Sequence, residues 1–385
     1  MCAEACHFYE ATRDPKYTPI WKIEPLKQTY KREYGPFAPL YRLLGLKKKV
    51  TEAQLAQWQE LIYDSCTLCG RCSLICPMGI DITRLIADAR EGMAQAGLAP
   101  AELQQAARRA RVSGTPSGEP VSAFVQFLKS IADRHGIEVP VDKSKAAVLC
   151  TVSSSEVKHY PDAVAALARV MNHLGVDWTF SSRGYEATNA GIVAGDLASQ
   201  KASNGRLIEA AVACGATEVI LPECGHAYAA LRWMGANLHG SSLPFRVLHV
   251  SEFLAEQVTE GRLKLRPLED TVTFHDPCQV SRRGGATEAP RVVLQALGVN
   301  LREMNPTKGT NWCCGGGGGV VSIQRADPLR QRAFEIKIEQ VNATGAQYPV
   351  VSCATCRRTF DDGAARHHWD KKARNLLELV AQQLQ

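Results

Sequence analysis

The run "CTLCGRCSLICP" places Cys66, Cys69, Cys72 and Cys76 at the spacing C-x2-C-x2-C-x3-C-P. Three cysteines so spaced on one tight loop reach three iron corners of a cubane 4Fe-4S cluster, with Gly70 easing the turn and Pro77 redirecting the chain. Zinc sites use two distant Cys-x2-Cys knuckles and have no role for a third cysteine at the same interval. This part of the chain must therefore fold around a cluster rather than around a large apolar core.

In two-cluster ferredoxins the fourth cysteine of each run crosses to the other cluster, so Cys76 predicts a second run. Cys2 and Cys6 in "MCAEAC" have the interval of the last two cysteines of such a run. The expectation is one complete cubane on Cys6, Cys66, Cys69 and Cys72, and a second possible in a longer chain, of which only Cys2 and Cys76 are present. On this reading residues 1–98 are an N-terminally truncated ferredoxin-like 4Fe-4S domain. The alternative leaves Cys2 and Cys6 as spare thiols beside a single cubane.

A second set follows another pattern. Cys278 in "FHDPCQ", Cys313 and Cys314 in "NWCCGGGGG", and Cys353 and Cys356 in "SCATCR" form C-x34-CC-x38-C-x2-C. Adjacent cysteines point in divergent directions, so the pair suits different irons of an extended, non-cubane assembly. Gly315 and the glycines after it let backbone N–H groups approach sulfide anions. A vicinal Cys313–Cys314 disulfide, or zinc held by Cys353 and Cys356, is the competing reading. His275 and Asp276, just before Cys278, could donate protons or simply end a strand.

With fourteen cysteines in 385 residues and no secretion signal, metal or redox use outranks a disulfide framework. The net charge of +6 is concentrated between Lys16 and Lys49, a solvated face or a docking site for an anionic partner or headgroup layer. No nucleic-acid-binding module is recognisable, and no apolar run is long enough to span a bilayer. The expected location is cytoplasmic, peripheral on the inner face of a membrane. Without a G-x-G-x-x-G fingerprint, any flavin or nicotinamide belongs to another chain.

A charged helical stretch from Pro100 to Arg134 dominates a helical linker, residues 99–144. Beyond it "AAVLCTV", "VDWTF", "EVILPE", "FRVLHV", "VTFHDP", "LREM" and "YPVVSC" read as strands between amphipathic helices, which predicts parallel α/β sheets. "RVMNHLGVD" at Arg169 echoes "VVLQALGVN" at Val292, an offset of 123 residues. Residues 145–265 thus read as a degenerate repeat of 266–385 that keeps the fold without the thiols. Tyr185 and Glu186 stand where the cysteine pair would be, and Cys150, Cys214, Cys224 and His226 read as packing residues or neighbours of the pocket. The fold class expected is α + α/β: a small helical ferredoxin-like domain followed by two repeated α/β domains.

Together these motifs resemble the CCG-domain iron-sulfur proteins of the heterodisulfide reductase catalytic-subunit family. "ACHFYEATRDPKYTP", "GYEATNAG" and "NWCCGGGGG" look most like the DsrK branch, the sulfite-reductase-associated electron-transfer subunits. The resemblance implies a non-cubane 4Fe-4S cluster on Cys278, Cys313, Cys314, Cys353 and Cys356 that cleaves or forms a disulfide or trisulfide, with the cubane as relay. It implies two partners, a membrane cytochrome-type redox subunit and a small DsrC-like sulfur-carrier protein. Gln279 departs from the family, where many members have His. The alternative is a pure electron-transfer subunit of a membrane redox complex or of a glycolate- or lactate-type oxidase.

Overall fold

A computed structural model describes residues 3–46, 49–222 and 224–385; Cys2 lies outside them. Eight short strands build two sheets: β1 (Val148–Cys150), β2 (Trp178–Phe180), β3 (Glu218–Leu221), β4 (Arg246–His249), β5 (Thr271–Phe274), β6 (Asn300–Leu301), β7 (Tyr348–Val351) and β8 (Arg374–Asn375). The sheet orders are β2-β1-β3-β4 and β6-β5-β7-β8, parallel throughout. The two sheets therefore share one strand order. Central strands such as "VLC" and "YPVV" are buried along their whole length, as helices on both faces of a parallel sheet demand.

One apolar core joins the two sheets. Val148, Phe180 and Leu248 of the first share it with Val272, Phe274 and Val350 of the second. Helices cross-pack in two sets, Val250–Thr259 against Ala289–Ala296 and Pro161–His173 against Leu376–Gln382. The mixed helical and parallel α/β architecture is as expected; of the predicted strand "LREM" only Leu301 lies in β6, and β8 had no counterpart in the strand reading.

The N-terminal third is helical. Its core of Phe8, Ile62, Tyr63, Ile86 and Leu103 also takes in Val320 and Ile323, the residues just beyond the glycine run. The stretch after Pro100 forms two helices, Ala101–Ser113 and Val121–His135, because Gly114 (φ 90°) caps the first and Pro120 precedes the second. Leu103, Ala107 and Ala110 of the first face the N-terminal core, whereas Phe124 and Leu128 of the second face the α/β core.

Candidate iron-sulfur centres

The ferredoxin-type run crosses from a tight loop into the helix Arg71–Ile75. Gly70 (φ 80°) caps that helix, and Leu68 at φ 54° makes the turn before it. Cys6, Cys66, Cys69 and Cys72 line one hollow, shared with His7, Lys22 and Thr83. Cys76, at the far end of the helix, is not among the lining residues. Lys22 is buried here, its Nζ 3.0 Å from Cys6 Sγ and bonded to the Ser65 carbonyl. Burial opposes its charge, but Cys6, Cys66 and Cys72 hold its pKa above the ordinary value. Burial pushes the Cys72 thiol up to about 12, so a cation or metal beside it is what would favour thiolate.

The five cysteines of the second set come together, all at least nine-tenths buried. Cys278 and Cys356 lie on loops or helix starts at the C-terminal ends of β5 and β7, and the pair sits on the loop between β6 and the helix Asp327–Asn342. Cys313 Sγ lies 3.9 Å from Cys278 Sγ, and Cys314 Sγ lies 3.4 Å from Cys356 Sγ. The neighbouring thiols thus turn to different sides. Cys313 belongs with His7 and Cys69, and Cys314 with His275 and Cys356; within each trio the ligand atoms lie within 4.8 Å of one another. Cys353 is held down to about 7 by Cys356 and by the amides of Gly225, Cys356 and Thr355.

The two thiol sets touch. Cys69 packs against the second set, and Thr67 Oγ1 is 3.4 Å from Cys313 Sγ. Around this contact, side chains stitch the loops: Gln279 donates to the Leu68 carbonyl at 2.7 Å, Arg282 to Cys69 at 2.9 Å, and Arg71 to Thr310 at 2.9 Å while its guanidinium covers the Trp312 ring. Gln279 thereby ties the loop after β5 to the ferredoxin-type loop.

The glycine run is held between these loops. Arg90, fully buried, donates to the carbonyls of Gly318 (2.7 Å), Cys66 (2.7 Å), Val193 (2.8 Å) and Ile62 (3.1 Å). His226 Nε2 accepts the Gly318 N–H at 3.3 Å, and burial lowers its pKa to about 4, which keeps it an acceptor. Gly318 (φ +60°) passes so close to Thr67 that a Cβ would stand 2.7 Å from its carbonyl carbon. Gly315 has φ 91° and points its N–H at Cys313 Sγ at 3.4 Å.

His275 is fully buried with neither ring nitrogen hydrogen-bonded, and Asp276 is committed to Arg291 and, at 2.8 Å, to the Lys308 amide. Lys337 is wholly buried beside the pair. Its Nζ donates to Asn311 Oδ1 at 2.9 Å and to Gln340, and burial takes its pKa down to about 7 against the pull of Cys314 and Cys313. In the first repeat Cys150 and Cys214 sit in apolar cores. Cys224 is an electrostatic neighbour of Cys353, together with Glu156 and Glu186, which burial holds above the ordinary carboxylate range.

The residues fit iron-sulfur clusters. Soft thiols converge in one buried cluster, and His7 Nε2 and both nitrogens of His275 are orphaned at its edges. Sequence reasoning passed over His7, Lys22, Arg90 and Lys337. Only His7, beside Cys6, carried a local signal; Lys22, Arg90 and Lys337 are charged residues that only tertiary packing turns inward.

Such a site on two parallel α/β repeats joined to a helical cysteine loop defines an iron-sulfur oxidoreductase. Residues 272–361 match the cysteine-rich CCG domain, and residues 1–80 match the 4Fe-4S dicluster domain. The chain thus carries a CCG domain and a 4Fe-4S dicluster domain, and it is similar to heterodisulfide reductase subunits. It is 27% identical to the D polypeptide of dihydromethanophenazine:CoB–CoM heterodisulfide reductase from Methanosarcina acetivorans, over 100% of this chain and 92% of that one. It is 26% identical to the Hdr-like menaquinol oxidoreductase iron-sulfur subunit 2 of Archaeoglobus fulgidus, over 91% and 71%. The EtfAB:quinone oxidoreductase of Syntrophomonas wolfei is 28% identical over 79% of this chain and 45% of its own. A crystal structure of a hypothetical protein from Helicobacter pylori shares the fold at TM-score 0.50 and 10% identity, over 96% of this chain and 68% of that one.

Proposed function

We propose that this chain is the disulfide-active subunit of a larger redox complex. On this reading Cys6, Cys66, Cys69 and Cys72 would hold a cubane and Cys278, Cys313, Cys314, Cys353 and Cys356 would hold a non-cubane 4Fe-4S cluster, the two together supplying a path for electrons. The observation that carries the reading is the buried contact between the two thiol sets through Cys69 and Cys313. A pure relay needs only cubanes. Five thiols spread over a divergent pair offer a site where one sulfur of a substrate can be retained as thiolate while the second electron arrives.

The cluster, when bound, supplies the redox equivalents and an iron to which sulfur can bind. The chain's own residues do the rest. The surrounding apolar side chains, Phe334, Phe360 and Met304, exclude water, which protects a half-reduced sulfur species. Lys337 brings a buried donor beside the pair, held by Asn311 and Gln340. The glycine loop, fixed by Arg90 and His226, keeps the Gly315 N–H aimed at sulfur.

On this reading the substrate is a disulfide or trisulfide on a small DsrC-like sulfur-carrier protein, and the electron partner is a membrane cytochrome-type subunit, as in the DsrK branch. The relatives' names, a heterodisulfide reductase subunit and a menaquinol oxidoreductase subunit, support a multi-subunit setting. Among the described residues no helix is long and apolar enough to cross a membrane, which suits a cytoplasmic chain lying against its inner face. Anaerobic titration of the holoprotein with a heterodisulfide or a persulfide-bearing carrier should produce a substrate-dependent paramagnetic signal, and Cys314→Ser should abolish turnover and the signal together. Turnover surviving in Cys314→Ser, with no substrate-dependent signal in the parent, would overturn the catalytic reading in favour of a relay.

A further inference from the structure

Between Lys16 and Lys49 the chain carries nine Lys and Arg against two Glu, more positive excess than the +6 of the whole molecule. The same segment holds the densest exposed apolar surface. Helix Glu24–Tyr34 and the adjoining helix Ala38–Leu43 present Tyr30, Tyr34, Phe37, Leu40, Leu43 and Leu46 to solvent, Leu43 at 83% and Tyr34 at 75%. Single exposed apolar residues are ordinary, but a contiguous set is not. Here Tyr30 lies beside Tyr34 at 5.8 Å and Phe37 beside Tyr41 at 6.4 Å, two exposed ring pairs in one short segment. Lys27, Lys31 and Arg42 stand exposed on the same two helices, Lys27 pairing with Glu24 at 3.0 Å and Arg42 with Glu33 at 3.5 Å in surface contacts that solvent weakens.

We infer that this helical pair docks on an anionic phospholipid surface. Aromatic rings and leucines flanked by Lys and Arg are the composition that settles at the boundary between headgroups and acyl chains, the cations pairing with lipid phosphates. The charge of the segment argues for that occupant over a second copy of the chain, which would oppose two basic faces. The placement also has a redox logic. In the preceding turn, Pro19–Lys22, Ile20 and Trp21 point outward while Lys22 turns in to Cys6. Docking would therefore bring the cubane loop, not the second thiol set, toward a membrane-embedded electron donor or acceptor.

This inference deepens the peripheral-membrane part of the proposed function and is independent of the chemistry at the five thiols, so vesicle binding and turnover fail separately. The test is sedimentation of the purified holoprotein with vesicles of phosphatidylcholine alone or mixed with phosphatidylglycerol, at low and high salt. Co-sedimentation with the anionic vesicles, weakened by salt, is expected. Lys27→Glu with Lys31→Glu should weaken it by about tenfold or more. Phe37→Glu with Leu43→Glu should eliminate it while iron content and melting temperature stay at the parent's values. Three results would overturn the proposal: no binding to anionic vesicles, full binding retained by the Phe37/Leu43 variant, or a dimer without vesicle affinity that this variant dissociates.

Discussion

Two buried lysines mark the two thiol sets. A cation in a low-dielectric setting stabilises the reduced, more negative form of a cluster, and Lys22 sits against Cys6 while also donating to the Ser65 carbonyl. Replacing it by methionine keeps the packing volume and removes the charge. Lys22→Met should lower the cubane midpoint potential by on the order of 100 mV, from Coulomb's law at an effective dielectric near that of protein surfaces. An EPR-monitored redox titration with iron content checked in parallel measures it. An unchanged potential at full iron content would show that Lys22 is only structural. Neither lysine was legible in the sequence: nothing in "WKIE" or "EIKIEQ" sets the lysine apart from a surface charge, and only the folded helix directions bury it.

At the scale of elements, the glycine run and the ferredoxin-type loop are two halves of one object. Gly318→Ala would set a left-handed alanine against the Thr67 backbone, costing about 1–2 kcal/mol for the conformation before any displacement. The variant should lose iron from both centres, because Cys66 and Thr67 must move with the loop. Gly315→Val differs: its Cβ would meet Arg330 only at an ordinary 3.7 Å, so its cost is conformational and local to Cys313. It should lose the non-cubane cluster and spare the cubane, and iron analysis with visible spectroscopy separates the two variants. The strands of both sheets were readable because a doubly covered parallel strand is an unbroken apolar run, as in "EVIL" and "YPVV". β8 was not, being two residues long, "RN", with nothing apolar to announce it. The thiol spacing named the candidate ligands, but the meeting of Cys69 with Cys313 joins residues 244 positions apart, and no local pattern encodes that.

Across the whole molecule, the first repeat contributes support where the second holds thiols. His226 and His249 are both neutral in the fold, burial holding them at about 4 and about 3. An unfolded imidazole titrates near 6.5, so the unfolded chain binds more protons between that value and the folded ones. Stability is therefore full above about pH 6.5 and falls as the pH drops toward 4. Denaturant midpoints of the protein at pH 7.5 and pH 5 should differ accordingly, and His249→Gln should narrow the gap. An equal gap in the variant would assign the acid sensitivity elsewhere.

Arg90 gives this architecture a history as well as a shape. Its guanidinium is satisfied by carbonyls of residues 62, 66, 193 and 318, drawn from the N-terminal unit, the first repeat and the second. During synthesis the N-terminal cysteines emerge long before Gly318 exists to complete that set. The nascent cubane loop thus has no finished wall behind it until most of the chain has left the ribosome. A chain cut short before Gly318 would therefore carry the ferredoxin-type cysteines without the full set of carbonyls that fixes Arg90.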